Sequence, residues 1–453
     1  MKIIVGGAGS VGRSIISYLS RADNDIVVVD TNQERLDEIA KEFDVQPVLG
    51  SISRPDIQES INAAGADILI AATDNDEVNL VACQVAYTLF NVRKKIARVD
   101  SEYFLSPLWN TLYNEKSLPV DLVISPDESI AQNILNILAI SGAREVYPFD
   151  DGKWLLIGFR CVGECALYQF KLSELYKEFA DVHFSVVQIA RGGTYFYPKP
   201  DEQIKQTDEI YILAHKKDVS NILKAFNISQ RAYQNIVIFG ANAISYDIAR
   251  SIEEDDNVQS LKIVTNQLEA AQKMSENLNK SVVIYGEMMS DVILGDAHLE
   301  NADLTISVTS QDKDNLLLSL LAKSSGTTTT LSLVNSAMYG NLTGRMPDNI
   351  IIDRSTITIS KILQDIRQVN LINAYSLGRG FAEIWQLDLK EDTLLEGKKL
   401  TEIVLPEKCK VVAVSRKGEL LFDIQNIKIE LGDILFIIVS PNGIKKVESV
   451  FGI

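Results

Sequence analysis

Residues 2–19 read KIIVGGAGSVGRSIISYL: four residues of apolar strand, a glycine-rich turn, then an amphipathic helix. Within the turn, Gly7, Gly9 and Gly12 match G-x-G-x-x-G, with Ala8, Ser10 and Val11 between them. Glycines at this spacing are common, but here they follow a strand and open a helix, which makes the pattern specific. Gly7 permits a tight turn, Gly9 has no Cβ and lets the main chain approach a pyrophosphate, and Gly12 lets helix and strand pack closely. Phosphate oxygens would face the free amides and the positive end of the helix dipole.

Eighteen residues after Gly12, the strand DIVVVD ends on Asp30. A carboxylate there accepts hydrogen bonds from ribose hydroxyls and repels a 2′-phosphate, which favours NAD, ADP or ATP over NADP. A helix N-cap role for Asp30 is the structural alternative. Arg13 has two readings, a phosphate contact or an exposed first-turn arginine. Thr73, Asp74 and Asn79, in ATDNDEVN, follow the central strand ADILIAAT, where ligands of such sheets bind; packing or capping is the other reading for Asn79.

Short apolar runs alternate with amphipathic segments through this region, with a helix to about Arg21, another from near Asn32 and a third from Asp76. That alternation predicts βαβ units and a doubly wound parallel sheet of Rossmann type. The pattern then returns. The opening stretch is echoed by NIVIFGANAISYDIARSI from Asn235, GADILIAATDNDEVNLVACQVA from Gly65 by NADLTISVTSQDKDNLLLSLLA from Asn301, and IKQTDEIYIL from Ile204 by IELGDILFII from Ile429. Three matches in the same order at nearly constant offset mean two copies of one unit.

In each copy the α/β part precedes a strand-rich part, with HFSVVQIARGG, TYFYPKP and DEIYILA in the first, read as a small α+β domain. The expected domains span residues 1–141, 145–228, 235–366 and 369–453, joined near 141–144, 229–234 and 365–369. Domains of roughly 80 residues lie near the lower limit for an independent core, so the two α+β domains are expected to pair. The second glycine turn reads Gly240-Ala241-Asn242-Ala243-Ile244-Ser245. Asn242 puts a side chain where main chain should meet pyrophosphate, Thr265 replaces the ribose carboxylate, and Ser245 is compatible with the turn. The second copy is therefore expected to be structural.

The 453 residues carry a formal charge of −17, which repels phosphate backbones and anionic lipid and speaks against nucleic acid as a partner. No stretch reaches the roughly 18 apolar residues that span a bilayer. The N-terminus starts a strand at once, without a secretory pattern. Four scattered cysteines fit a reducing compartment, and the expected location is cytoplasmic. Cys161 and Cys165 lack a second ligand pair and read as buried hydrophobes. His183, His215 and His298 lie far apart, and no nucleophile elbow, zinc or Walker motif is present, so no enzyme is expected. Hydride transfer by a dehydrogenase and a stand-alone nucleotide sensor are the alternatives.

KIIVGGAGSVG, DIVVVD, AATDNDEVNLVACQVA, KKIARVDSEY and the stretch from Asp348 through DNIIIDRSTITISKILQDIRQVNLINAYSLGRGFAEIWQLDL resemble the RCK (KTN) family, in the tandem arrangement of Trk-type potassium uptake peripheral subunits. The resemblance covers essentially the whole chain. It implies two Rossmann-like RCK N domains, each followed by an RCK C domain, and a homodimer or tetramer. It also implies docking on a separate potassium-translocating membrane subunit at the inner face of the membrane, and NAD(H) and ATP or ADP in the first N domain. Gly7, Gly9, Gly12 and Asp30 match the family's nucleotide positions, and Arg98 matches an arginine facing the ligand. Asp100 stands where the family often has a second arginine, and a carboxylate there is unfavourable beside a polyphosphate.

Overall fold

A computed structural model describes residues 1–20, 24–161, 166–179, 183–228, 232–335, 346, 349–366, 371–377, 381–389, 395–422, 424 and 426–452. Strands β1 (Lys2–Gly6), β2 (Asp25–Asp30), β3 (Gln46–Leu49), β4 (Ile68–Ala71), β5 (Lys94–Arg98) and β6 (Leu122–Ile124) form one sheet in the order β3-β2-β1-β4-β5-β6. Every pairing in it is parallel. The central strands β1, β2 and β4 are unbroken apolar runs because helices cover both faces. The strand order reverses between β1 and β4, and the crevice at their carboxyl ends is where ligands of this fold sit.

After an antiparallel sheet of β7 (Ala143–Phe149), β8 (Trp154–Arg160), β9 (Phe184–Arg191), β10 (Thr194–Phe196) and β11 (Glu209–His215), the arrangement repeats. Strands β12 (Asn235–Phe239), β13 (Ser260–Thr265), β14 (Val282–Tyr285), β15 (Leu304–Ser307), β16 (Thr329–Val334) and β17 (Asn349–Asp353) have the order β14-β13-β12-β15-β16-β17. The last sheet comprises β18 (Leu371–Leu377), β19 (Ala382–Asp388), β20 (Lys410–Arg416), β21 (Glu419–Leu421) and β22 (Ile434–Val439). Its order, β18-β19-β22-β20-β21, is that of the earlier antiparallel sheet, β7-β8-β11-β9-β10, strand for strand. The duplication read from the sequence is the architecture: two tandem Rossmann-like domains, each with a small α+β domain behind it. Cys165, the expected end of the first helix at Arg21, and residues 229–231 and 367–369 of the expected joints lie outside the described residues; residues 365–366 close the helix Arg354–Ile366.

The cores are exchanged between the copies. Helix Pro126–Leu138 buries Ile130, Ile134 and Ile137 in a cluster shared with the first α+β domain and with Ile236, Ile244 and Ile248 of the second parallel domain. Reciprocally, Ile359 and Ile362 of helix Arg354–Ile366 join Ile3, Ile15 and Ile26 of the first parallel domain and Trp385 and Leu435 of the last. Arg354 pairs with Asp127 at 2.8 Å between these two helices. The α+β domains pack face to face, as their small size requires. Phe149 meets Tyr375 and Phe436 edge-on at 5.1 and 5.3 Å, and Tyr375 donates to the Pro148 carbonyl at 2.6 Å.

Both α+β domains are pinned by the same ion network. Asp208, all but fully buried, accepts from Arg191 Nε and Nη2 at 2.9 and 2.7 Å and from the Lys205 amide at 2.8 Å. Asp433 does the same with Arg416 and the Glu430 amide. Asp208→Ala leaves the Lys205 amide without its acceptor and takes from Arg191 its two bonds to Asp208, leaving it Glu202 and the Gln203 carbonyl; it is expected to lower stability by about 2–3 kcal/mol, read as a shift in the urea midpoint. An unchanged midpoint would show the network to be ornamental.

Glu383 is fully buried on β19, and its carboxylate accepts from Trp385 Nε1 at 2.6 Å. Burial pushes its carboxyl up to about 8, and the charge of Glu448 adds to the rise. The folded state therefore binds this proton more tightly than the unfolded chain. That contribution is fully present below the ordinary carboxylate range near 4.5 and is lost as pH rises through about 8. The melting temperature of wild type is expected to fall over this window, and Glu383→Gln to flatten the fall. Parallel pH profiles of the two proteins would contradict this.

Candidate nucleotide-binding site

The backbone of the first glycine turn is built as the motif requires. Gly7 adopts φ +106°, and a Cβ there would stand 2.7 Å from the Ala72 carbonyl oxygen, so neither the conformation nor the space admits a side chain. A Cβ on Gly12 would lie 1.9 Å from the Gly7 carbonyl oxygen, which is the close helix-to-turn packing expected of it. Gly9 differs: a Cβ there would meet only Arg35 Nη1, at 3.9 Å. The space over Gly9 is open. Gly9 is also the N-cap of helix Ser10–Leu19, and no side chain caps that helix. Its first backbone bond runs from the Arg13 amide to the Gly9 carbonyl, so the amides of Ser10, Val11 and Gly12 precede the helical ladder. The turn thus presents donors and a dipole end to an anion.

Asp30 lies at the end of β2, 8% exposed. One carboxylate oxygen accepts from the Ala8 amide at 2.5 Å and the other from the Asn32 amide at 2.8 Å. It ties the glycine turn to the turn after β2. Asp30 is not an N-cap: that role in helix Gln33–Glu42 falls to Asn32, which accepts from the Arg35 amide at 3.1 Å. Arg13 is half-exposed and directed to Glu38 at 3.2 Å and to Glu42, in keeping with the exposed first-turn reading. Arg35, whose guanidinium reaches toward Gly9, is the cation that sequence reading passed over. It sits five residues after Asp30, at no distinctive spacing.

Asn79 is completely buried and every polar atom of its amide is used. Oδ1 accepts from the Thr73 amide and hydroxyl at 3.0 and 2.7 Å, and Nδ2 donates to the carbonyls of Thr73 and Arg98 at 3.2 and 2.9 Å. Asn79 therefore braces the ends of β4 and β5 from beneath, the packing alternative. Asn315 makes the same four bonds, to Thr309 and Leu333, in the second copy. Asp74 is exposed beyond this brace. Arg98 ends β5, its Nη2 paired with Asp100, and its Nε is buried without a hydrogen-bond partner.

The corresponding turn of the second copy is built differently. Gly240 repeats the turn with φ +107°. Asn242, in place of Gly9, accepts from the Ser245 amide at 3.1 Å and donates to the Val308 carbonyl at 2.6 Å, while Ser245 Oγ accepts from the Asn242 amide at 2.8 Å. This capping box closes, with the chain's own side chains, the helix start that the first copy leaves uncapped. Ser245, which sequence alone reads as compatible, is half of that box. Thr265 replaces Asp30, and its hydroxyl accepts from the Gln267 amide at 3.2 Å.

A cavity of about 1390 Å³ lies elsewhere, between helices Pro126–Leu138 and Arg354–Ile366 and the first α+β domain, with Arg144, Arg160 and Tyr195 in its wall. It is a cleft between domains, whereas the glycine turn has the donor chemistry of a ligand site. Among the described residues no three His, Cys, Asp or Glu side chains are grouped to hold a metal. His215 stacks edge-on with Trp154 at 4.6 Å, and His298 caps a helix end in the left-handed conformation, φ 55°.

The family model of the TrkA-N domain matches residues 3–126 and again 236–353, and that of the TrkA-C domain matches 386–452. The chain belongs to the TrkA family. A Trk system potassium uptake protein TrkA of Azorhizobium caulinodans is 31% identical over 451 residues, covering 100% of this chain and 98% of that protein. The TrkA of Halomonas elongata is 32% identical over 455 residues with the same coverage, 100% and 98%. Among solved structures, the GsuK RCK domain superimposes with a TM-score of 0.62 at 16% identity, covering 100% of this chain and 95% of that one. The GsuK channel bound to NAD gives the same TM-score, 0.62, at 17% identity, covering 100% and 79%. At such identities these structures establish the RCK fold of this TrkA-family chain and no more.

Proposed function

We propose that this TrkA-family chain is the cytoplasmic regulatory subunit of a potassium uptake system. It binds NAD(H), ATP or ADP at Gly7–Gly12, Asp30, Thr73, Asp74 and Arg98, and gates a separate membrane-embedded potassium-translocating subunit. The observation that carries this reading is the contrast between the two glycine turns, one with bare helix amides and an aspartate, the other closed by its own Asn242 and Ser245. Full-length relatives named for potassium uptake supply the context, and a channel of the same fold is named as bound to NAD. Among the described residues no helix is long and apolar enough to cross a membrane.

A ligand shifts a conformational equilibrium only by its differential affinity for the two states, typically about 1–3 kcal/mol per site. The helix that would hold the phosphates is placed to pass that on: Ser14 Oγ donates to Ser355 Oγ, at 2.7 Å, on helix Arg354–Ile366 of the second copy. That helix in turn pairs with Asp127 of the first. Association as a homodimer or tetramer would add several sites onto one rearrangement.

The test is potassium flux into vesicles containing the cognate membrane subunit, with and without this chain and with NAD⁺, NADH, ADP or ATP. Flux that depends on the chain and responds to nucleotide is expected. Flux indifferent to both would remove the regulatory reading, and nicotinamide reduction with a small substrate would replace it with a dehydrogenase.

A further inference from the structure

The two ends of the crevice differ in charge. At the glycine turn lie uncapped helix amides and the Arg35 guanidinium. Across the switch point, the carboxyl ends of β4 and β5 carry Asp74, Asp76, Arg98 and Asp100, three acids against one base. The base is already engaged, since Asp100 takes Arg98 Nη2. Asp76 holds the segment in place by accepting from the Asp100 amide at 3.1 Å and the Ser101 amide at 2.8 Å. The pair belongs to the first copy alone. In the second, Leu333 and Asn335 stand at the places of Arg98 and Asp100, and Asn335 donates from its main-chain and side-chain nitrogens to Asp312, at 2.9 and 2.8 Å.

We infer that the first site is built for a ligand whose negative charge ends at the diphosphate, an NAD-type dinucleotide or ADP, and that Asp100 is the residue that turns away a third phosphate. The inference rests on the nucleotide reading of the glycine turn and specifies its ligand. In a dinucleotide, the chain continues from the diphosphate across the switch point into a ribose and a nicotinamide. Ribose hydroxyls donate to carboxylates, and the oxidised ring carries a positive charge, so this half is compatible with the acids. In ATP the same diphosphate continues into a γ-phosphate, which would enter a region of net negative charge whose one cation is occupied. Asp74 and Asp100 are exposed, so the repulsion is that of like charges near a protein surface, reduced by solvent but still opposed to a third phosphate. With Asp100 neutral, Arg98 is released to the γ-phosphate and one repelling charge is removed.

The experiment is calorimetric titration of NAD⁺, ADP and ATP, in EDTA so that ATP carries its full charge, into full-length wild type, Asp100→Asn and Asp100→Ser. Wild type is expected to bind NAD⁺ and ADP at least about tenfold more tightly than ATP, which is about 1.4 kcal/mol. In the variants that gap is expected to close, with ATP gaining. ATP binding to wild type as tightly as ADP, or a gap unchanged in both variants, would overturn the assignment to Asp100. A wild type that binds none of the three would instead remove the site itself. Two variants are used so that misfolding of one, seen by circular dichroism, leaves the other to decide.

Discussion

Asp30→Ala is expected to weaken nucleotide binding by about 100-fold or more while the chain remains folded. The carboxylate has two tasks in this structure. It holds the glycine turn through the Ala8 amide at 2.5 Å and the next turn through the Asn32 amide at 2.8 Å, and it is the acceptor available to ribose hydroxyls at the end of β2. A hydrogen bond to a charged group contributes about 1.5–3 kcal/mol, and an amide left without an acceptor costs about 1–3 kcal/mol. Loss of the sugar contacts alone reaches about 3 kcal/mol, two decades in affinity. Asp30→Asn is expected to fare little better, because its NH2 would face the Asn32 or Ala8 amide donor to donor. Asp25→Ala, exposed at the other end of the same strand, should leave binding intact. Fluorescence titration with NADH separates these outcomes; wild-type affinity in Asp30→Ala would remove the assignment.

Gly9→Asn is expected to abolish binding without harming the fold. It carries the decisive residue of the second copy into the first. The space where a Cβ would go is open, with Arg35 Nη1 3.9 Å away as the nearest group, so the side chain can be accommodated. Once there it can cap helix Ser10–Leu19 as Asn242 caps its counterpart, accepting from the third helical amide. An Asn in place of Gly at an N-cap is worth a few tenths of a kcal/mol, so the melting temperature of the free protein should hold or rise slightly. The same side chain occupies the position of the pyrophosphate. Wild type with ligand at 100 times its Kd should gain about 2.7 kcal/mol of stability, and the variant none. A variant that is still stabilised by nucleotide would mean that the phosphates rest elsewhere.

Local features of this fold were legible because they are written in short-range patterns. The apolar run of Lys2–Gly6, the glycines that follow and the amphipathic helix specify a strand-turn-helix unit without reference to anything distant. The long-range echoes specify two copies in the same way. The exchange of cores was not legible, since the apolar stripe of Pro126–Leu138 fits a helix packed on any sheet. Only the assembled chain shows it against Ile244 and Ile248 of the other copy.

At the site, the roles of glycine followed from stereochemistry, and Gly7 and Gly12 have the close contacts that motif predicts. Side chains with several polar neighbours in space were less legible. Arg13 finds Glu38 and Glu42 one helix away, Asn79 finds Thr73 and the end of β5, and Arg98 finds Asp100. Each choice depends on which strand lies beside which, and the internal copy makes it readable in the structure. Asn315 repeats the brace in the copy whose turn carries its own capping box, which marks Asn79 as scaffold, whereas Asp30 has no counterpart there.

Equilibrium dialysis of labelled NAD⁺ against the full-length chain, counting ligand bound per chain at saturation, bears most directly on the central claim that one of two duplicated turns is open to a diphosphate. One ligand per chain in wild type and none in Gly9→Asn is the predicted result. Two per chain, or one per chain surviving in that variant, would contradict it.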